Sequence, residues 1–419
     1  MQCNRSACPD FAGVGAASLW SPGGSRPRGA PAGEEGKREA GEEGKREAGQ
    51  RGNAPAAWRA GRGRGQREAA WRAGPRRPGK RGNARPARGD NAPVEIGGGR
   101  GVHYTARMSS MQLLEPTAAV RARYANLVSS SPHASVFHTP AWHAVIASVG
   151  IEVRYLDAGE VMIPFAIQGR GITRRAFSLP YDTVGGPVGP TDTPLSFDAI
   201  ARAVGCPSVR IVDGSGTIVP GRARVIEVES HRLRLDGDVD AIRAGFTRSA
   251  HKAVRQAKRR GVDVQVRTDE GVVGEFYALY GELMRRHGAR RVPRSLVTAI
   301  FREMVPHDTA RFYAARVDGE TAAVMIMLRH PGEAVAWSVG YAPHLQAVRP
   351  NNALIDRWIC DEVDAGCRSL DLGASPGGAD SRVDRFKESF GARPYTRRVL
   401  LHESAAYRAL RAINRRLGR

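Results

Sequence analysis

From residue 108 onward, stretches whose apolar residues recur every three to four positions alternate with short runs that are apolar throughout or at every second position. Residues 138–149 have the helical spacing, with Thr139 placed to cap them ahead of Pro140, a residue suited to a first helical turn. Residues 153–156 and 161–167 read as strands around the turn Asp157-Ala158-Gly159-Glu160. Residues 310–317 and 321–328 repeat that arrangement around Asp318-Gly319-Glu320, and 334–341 add a third strand after His330-Pro331-Gly332. Residues 248–260 form a helix ended by Gly261. The last stretch, 404–417, carries Tyr407, Leu410, Ile413 and Leu417 at helical spacing and predicts an amphipathic helix docked on the body.

Two of these stretches look like copies. Val161-Met162-Ile163 after the first turn matches Val324-Met325-Ile326 after the second. Downstream of each, a helix ends in Gly-Cys and runs into a strand, Gly205 to Ile211 in one copy and Gly366 to Leu372 in the other. The same order at nearly the same spacing predicts a duplicated unit. The alternative is two ordinary α/β segments that share common turn chemistry.

Composition changes the picture before residue 108. Residues 1–107 hold 21 Lys/Arg against 10 Asp/Glu, and the other 312 residues hold 43 against 32. The excess of +11 is the same in each part but about three times denser in the first. This segment is rich in Gly, Ala, Arg, Pro and Glu and too poor in large apolar residues to offset its ordering entropy. Gly33 to Ala40 returns verbatim at Gly41 to Ala48, and Ala-Ala-Trp-Arg-Ala-Gly occurs at 56–61 and 69–74. Such repeats read as translated DNA repeats, which puts the start of the protein at Met108 or Met111. The competing expectation is a disordered basic arm for nucleic acid or an anionic surface.

No run of about 18 apolar residues occurs, so no membrane span is expected. The five cysteines are scattered without metal or disulfide spacing, which suits free thiols and a cytoplasmic location. His133, His138, His143, His287, His307, His330 and His344 show no second ligand at metal spacing and read as surface or capping residues. No Gly-x-Ser-x-Gly elbow and no Walker loop is present.

The segment richest in chemistry starts at Asn351-Asn352-Ala353-Leu354-Ile355-Asp356-Arg357-Trp358-Ile359 and passes through Gly366 to Ser375. It closes on Phe386-Lys387-Glu388-Ser389-Phe390-Gly391-Ala392. Read in order, it is helix, buried strand, glycine-rich loop, and a short helix with one lysine between two phenylalanines. That order resembles the C-terminal lobe of FemABX-type aminoacyltransferases and of FemAB-like acetyltransferases of the GNAT superfamily, with a weaker likeness over 108–401. The resemblance implies an α/β (α+β) fold of tandem GNAT-like acyltransferase lobes with mixed sheets. The lobes would span 108–235 and 236–402, preceded by the disordered arm 1–107 and followed by the helix at 403–419. It also implies transfer of an acyl or aminoacyl group to an amine of a cell-envelope precursor or related anionic small molecule. No tightly bound cofactor is expected; the donor would be aminoacyl-tRNA or acyl-CoA.

The same resemblance supplies roles. Lys387, held at the rim of a cleft, would stabilise the charge that develops on the acyl carbonyl oxygen; a snorkelling surface lysine is the plain alternative. Asp182, in the Pro180–Pro187 loop, would orient or deprotonate the attacking amine. Tyr181, Asp371, Ser375, Asn351 and Asn352 are candidates for substrate contact; Asp371 is expected to end a strand, where ligands of open α/β sheets bind. The basic helix at 248–260 resembles one that, in the cell-wall enzymes, helps hold substrate phosphates, which makes Arg248, His251 and Lys252 phosphate-binding candidates. A solvated charged face is its plain alternative. One departure stands out: acetyl-CoA-binding relatives cradle pyrophosphate on a glycine-rich loop, whereas Gln346 to Ala353 holds no glycine and Pro350 lacks a donor. Two rival functions follow from the net charge of +22 and from the scaffold: a non-catalytic nucleic-acid or tRNA-binding protein, and a GNAT-like protein of exopolysaccharide assembly.

Overall fold

The computed structural model describes residues 111–181, 183–190, 194–374 and 381–416. The first half runs β1 (Gln112–Leu114), α1 (Ala118–Ser130), α2 (Pro140–Ala147), β2 (Val153–Asp157), β3 (Met162–Gln168), β4 (Arg175–Ser178), β5 (Leu195–Ser196), α3 (Phe197–Val204), β6 (Ser208–Asp213), β7 (Ile218–Val219) and β8 (Arg224–Arg234). Helices α4 (Val239–Ala244) and α5 (Arg248–Arg259) lead into the second half. That half runs β9 (Asp263–Arg267), α6 (Gly271–Arg286), α7 (Arg294–Met304), β10 (Ala310–Val317), β11 (Glu320–His330), β12 (Glu333–Tyr341), α8 (Pro350–Asp364), β13 (Ser369–Ala374), α9 (Arg382–Glu388), β14 (Arg393–Glu403) and α10 (Ala405–Arg416).

Twelve of these strands form one sheet in the order β1-β2-β3-β4-β6-β14-β8-β13-β12-β11-β10-β9. Read inward from either edge, the two halves are the same. A hairpin pairs onto a third strand, that strand pairs parallel with a fourth (β4 with β6, β12 with β13), and a last strand joins antiparallel. The last strands are exchanged. β8, which closes the first half in sequence, pairs with β13 of the second, and β14 pairs with β6 of the first. β8 and β14 then zip together from Arg393↔Arg232 to Leu401↔Arg224. Each half of the sheet is therefore completed by the other, as expected for tandem GNAT-like lobes with mixed pairing.

The matched tripeptides are offset by one residue. Ser208 pairs with Arg175 where Ser369 pairs with Glu333, and counting from there through the hairpins puts Met162 opposite Val324 in the repeat rather than opposite Met325. A one-residue slip turns every side chain to the other face. The similar spacings arise because the β10–β11 hairpin extends further, to Val317↔Glu320, while the link from β11 to β12 is shorter than that from β3 to β4.

Local chemistry sets the helix ends. Thr139 accepts the Trp142 N–H ahead of Pro140, and Gly205 closes α3 at φ 63°, where a side chain would be strained. The larger core joins both lobes: Trp142 on α2 meets Trp337 on β12 edge-on at 6.2 Å, among the buried residues of α6, α7 and α8. A second core lies under α3 and includes Phe165, Phe197, Ile200 and Leu400 of β14. Helix α6 approaches β12 closely at Gly340, where an added Cβ would lie 2.7 Å from Tyr280 N and 3.1 Å from Phe276 O. Gly340→Ala should accordingly cost about 1–3 kcal/mol, read as a lower urea midpoint at unchanged slope. The C-terminal helix is docked less than its apolar spacing predicts: Tyr407 is buried, but Ile413 is 53% exposed and Leu417 lies outside the described residues. Residues 1–107 also lie outside them.

Candidate functional site

The parallel pair β12–β13 holds only at Glu333↔Ser369, Ala334↔Leu370 and Val335↔Asp371. Beyond Asp371 the two strands separate, which leaves the carbonyls at the end of β13 without a neighbour on that side. Lys387 takes them: its ammonium donates to Gly373 O at 2.6 Å and Ala374 O at 3.0 Å. Helix α9 places it there. Ser381 caps the helix by accepting the Asp384 N–H, and Val383 and Lys387, four apart, are its buried residues. Phe386 and Phe390 meet edge-on at 5.3 Å, and Phe390 meets Phe246 at 5.0 Å. Lys387 is therefore neither at a rim nor snorkelling; it is fully buried. Burial pushes its pKa down from 10.5 to about 7, against the opposing pull of Asp384 and Glu229.

A pocket of ≈ 320 Å³ opens beside this point, lined by α5 (Ser249, Ala250, Ala253), by the entry to α8 (Arg349, Pro350, Asn351, Asn352) and by α9 (Arg382, Arg385, Phe386). Thr247, which caps α5, donates its N–H to Ser389 O at 2.9 Å and so ties the start of α5 to the end of α9. Arg349 sits in the left-handed region at φ 64° immediately before α8. The helix offers few backbone donors to an anion: Pro350 has none, and the N–H groups of Asn352 and Ala353 turn back to Arg349 O. Positive charge at this helix start comes instead from Arg349, Arg382 and Arg385. Asn351 and Asn352 are both 9% exposed, and Asn351 Oδ1 is buried without a partner.

Of the residues singled out from the sequence, Asn351 and Asn352 line this pocket together with the start of α5 and the helix that carries Lys387. Arg248 and Lys252 are exposed on α5, while His251 packs against the Phe246 ring at 5.5 Å. Tyr181, at φ 64°, lines a different groove with Arg154, Arg170 and Arg174. Asp371 does not end its strand. It is the third residue of β13 and is buried, and its carboxylate accepts from Ser230 Oγ at 3.0 Å, Tyr395 OH at 2.8 Å, Gly373 N at 2.8 Å and the Arg397 guanidinium. Through those contacts it ties β8, β13 and β14 together. Asp182 and Ser375 lie outside the described residues. Two of the histidines read as surface or capping residues are buried, and burial pushes His138 down to about 4 and His143 to about 3. His138 does act as a cap, its Nδ1 3.1 Å from Ser135 N, whereas His143 bonds Tyr155 OH at 3.0 Å.

Sequence reasoning missed Arg349, Arg382 and Arg385, which frame the pocket. The spacing of Arg382 and Arg385 on one helical turn was a usable signal. The contribution of Arg349 depends on its left-handed backbone, which a sequence pattern does not show.

Residues 243–388, which supply α5, α8, β13 and α9, match the acetyltransferase (GNAT) domain family. This region is thus similar to a GNAT domain. By structure, the chain is similar to FemX, with a TM-score of 0.53 and 12% identity over 69% of this chain and 97% of FemX. It is also similar to L-PGS from Bacillus licheniformis (TM-score 0.45, 14% identity, 70% of this chain and 93% of that one). A tandem GNAT protein from the clavulanic acid biosynthesis pathway gives a TM-score of 0.39 at 14% identity, over 70% of this chain and 97% of that one. No protein of curated function matches the sequence. The GNAT likeness is thus present in the family match over 243–388, and the fold is similar to that of FemX. Among the described residues, no helix is long and apolar enough to cross a membrane.

Proposed function

We propose that this chain is an N-acyltransferase that moves an acyl or aminoacyl group onto the amine of an anionic small molecule, such as a cell-envelope precursor. The observation that carries this reading is the arginine-framed pocket at the start of α8, beside the split between β12 and β13. Arg349, Arg382 and Arg385 supply forked donors suited to phosphate or carboxylate. Arg248 and Lys252 extend the positive surface along α5. The amine attacks the acyl carbonyl directly; as the C–N bond forms, the donor's ester or thioester bond breaks, and the tRNA hydroxyl or CoA thiol leaves with the proton that the amine gives up. The Lys387 ammonium, fixed on β13 at the split, supplies positive charge near the developing oxyanion. Asp182 is proposed to orient the amine, and Tyr181 and Ser375 to contact substrate.

The donor is proposed to be aminoacyl-tRNA or acyl-CoA, with its phosphates met by arginine side chains rather than by a backbone cradle. Arg349→Ala and Arg385→Ala should each raise the apparent constant for the anionic substrate about 10–100-fold, the equivalent of one lost charged hydrogen bond, with turnover little changed. The effect should shrink as salt is added. Steady-state kinetics in low and high salt check this; unchanged constants in both variants would remove the pocket from the reaction.

A second reading, nucleic-acid binding, rests on the other groove. Arg154, Arg170, Arg174, Arg290 and Arg291 line ≈ 1140 Å³ of space between the first lobe and the α6–α7 connection. Arg154 already pairs with Glu115 at 2.7 Å, and Arg291 lies over the Tyr277 ring, so Arg170 and Arg174 are the informative positions. If tRNA lies here, Arg170→Glu with Arg174→Glu should abolish its binding and leave transfer from acyl-CoA intact.

A further inference from the structure

Strand β8 and helix α9 bring a histidine and three carboxylates together, none of them used by the transfer chemistry above. Glu229 and His231 alternate on β8 and so share a face. Asp384 and Glu388 lie one turn apart on α9, which packs against β8. His231 is fully buried, and neither ring nitrogen has a hydrogen-bond partner. Asp384 Oδ1, also buried and unpartnered, lies 3.7 Å from its Nδ1, and Glu388 Oε1 lies 3.7 Å from its Nε2. One ligand atom each from Glu229, His231 and Asp384 falls within 4.8 Å of the other two.

A buried imidazole with two unsatisfied nitrogens is costly unless something completes it. A separation of 3.7 Å is too long for a hydrogen bond. It is close to the roughly 3.4 Å that separates two ligands of one tetrahedral dication at bond lengths near 2.1 Å. The charges point the same way. Three carboxylates, Glu229, Asp384 and Glu388, gather around one imidazole, a donor set that suits a cation. Glu229 is exposed, so the cluster has an opening to solvent.

We propose that Glu229, His231 and Asp384 form a site for one divalent metal ion, with Glu388 facing the other imidazole nitrogen. One imidazole nitrogen with two carboxylate oxygens suits Zn²⁺ or Mn²⁺ better than Ca²⁺ or Mg²⁺, which favour all-oxygen shells. The ion ties α9 to β8 and so fixes the helix that carries Lys387.

The test uses the full chain, stripped with chelator, titrated with Zn²⁺ alone, and read as bound metal per chain and as thermal unfolding. The expected result is one ion per chain and a melting temperature that rises with zinc. Asp384→Asn and Glu229→Gln should each weaken uptake at least about 10-fold, as loss of a metal-supporting group does. His231→Ala should abolish it. Because removing a buried ring can unfold the chain, the two milder variants at less buried positions are decisive. No zinc uptake by the wild type, or uptake unchanged in both variants, would overturn the site.

Discussion

Replacing Lys387 by alanine is expected to lower turnover by about 10²–10³, the usual effect of removing one fixed electrostatic stabiliser of an oxyanion. The apparent constant for the acceptor should change little, because the interaction strengthens only in the transition state. Stability should fall too, since Gly373 O and Ala374 O lose the donor they share, at about 1–3 kcal/mol for each buried group left unsatisfied. Lys387→Arg keeps the charge but not the fit, and separates the electrostatic role from packing. The wild type carries a pH signature. The ammonium titrates at about 7 in the fold and near 10.5 when unfolded. Turnover that depends on its charge falls as pH rises through about 7. Folding stability moves the other way: between about 7 and 10.5 the unfolded chain binds the extra proton, so the native state gains as pH rises. Stopped-time kinetics and urea titrations across that window check both signs.

The second large effect is expected at Asp371, which should act on folding. Its carboxylate is met by Ser230 from β8, by Tyr395 and Arg397 from β14, and by Gly373 N of its own strand. Those strands are the exchanged pair that completes each lobe with a piece of the other. Asp371→Ala leaves the buried Arg397 guanidinium uncompensated and should cost about 3–5 kcal/mol. A chemical-denaturation curve shifted by that amount is the expected result; a shift under about 1 kcal/mol, the scale of a surface ion pair, would show that the network is not structural.

Much of the fold was legible because the pattern was strong. Thr139-Pro140, the turns at Gly159 and Gly319, and the Gly-Cys ends of two helices fixed elements that the structure contains. The strand exchange was not legible, because nothing in the local pattern of β8 and β14 names the strands they pair with; pairing partners are set by tertiary contact, not by local period. The tripeptide match failed by one residue for a related reason: register is fixed by the whole hairpin, and a chance identity can sit one step off it. At the site, the Phe-Lys segment lies on α9, the helix that borders the arginine-framed pocket. Its lysine nevertheless proved buried, since the sequence does not show that β12 and β13 part after Asp371 and leave carbonyls to be filled. His231 escaped notice because its partners come from α9, more than 150 residues away in sequence.

Acyl transfer at the split between β12 and β13 is tested most directly by product mass. The full chain is incubated with aminoacyl-tRNA or acetyl-CoA and a set of amine-bearing, phosphorylated cell-envelope precursors, and the precursors are weighed by mass spectrometry. The expected product is a precursor heavier by one acyl or aminoacyl group, formed by the wild type and nearly lost in Lys387→Ala. Product formed equally by both proteins, or by neither with any donor, would contradict it.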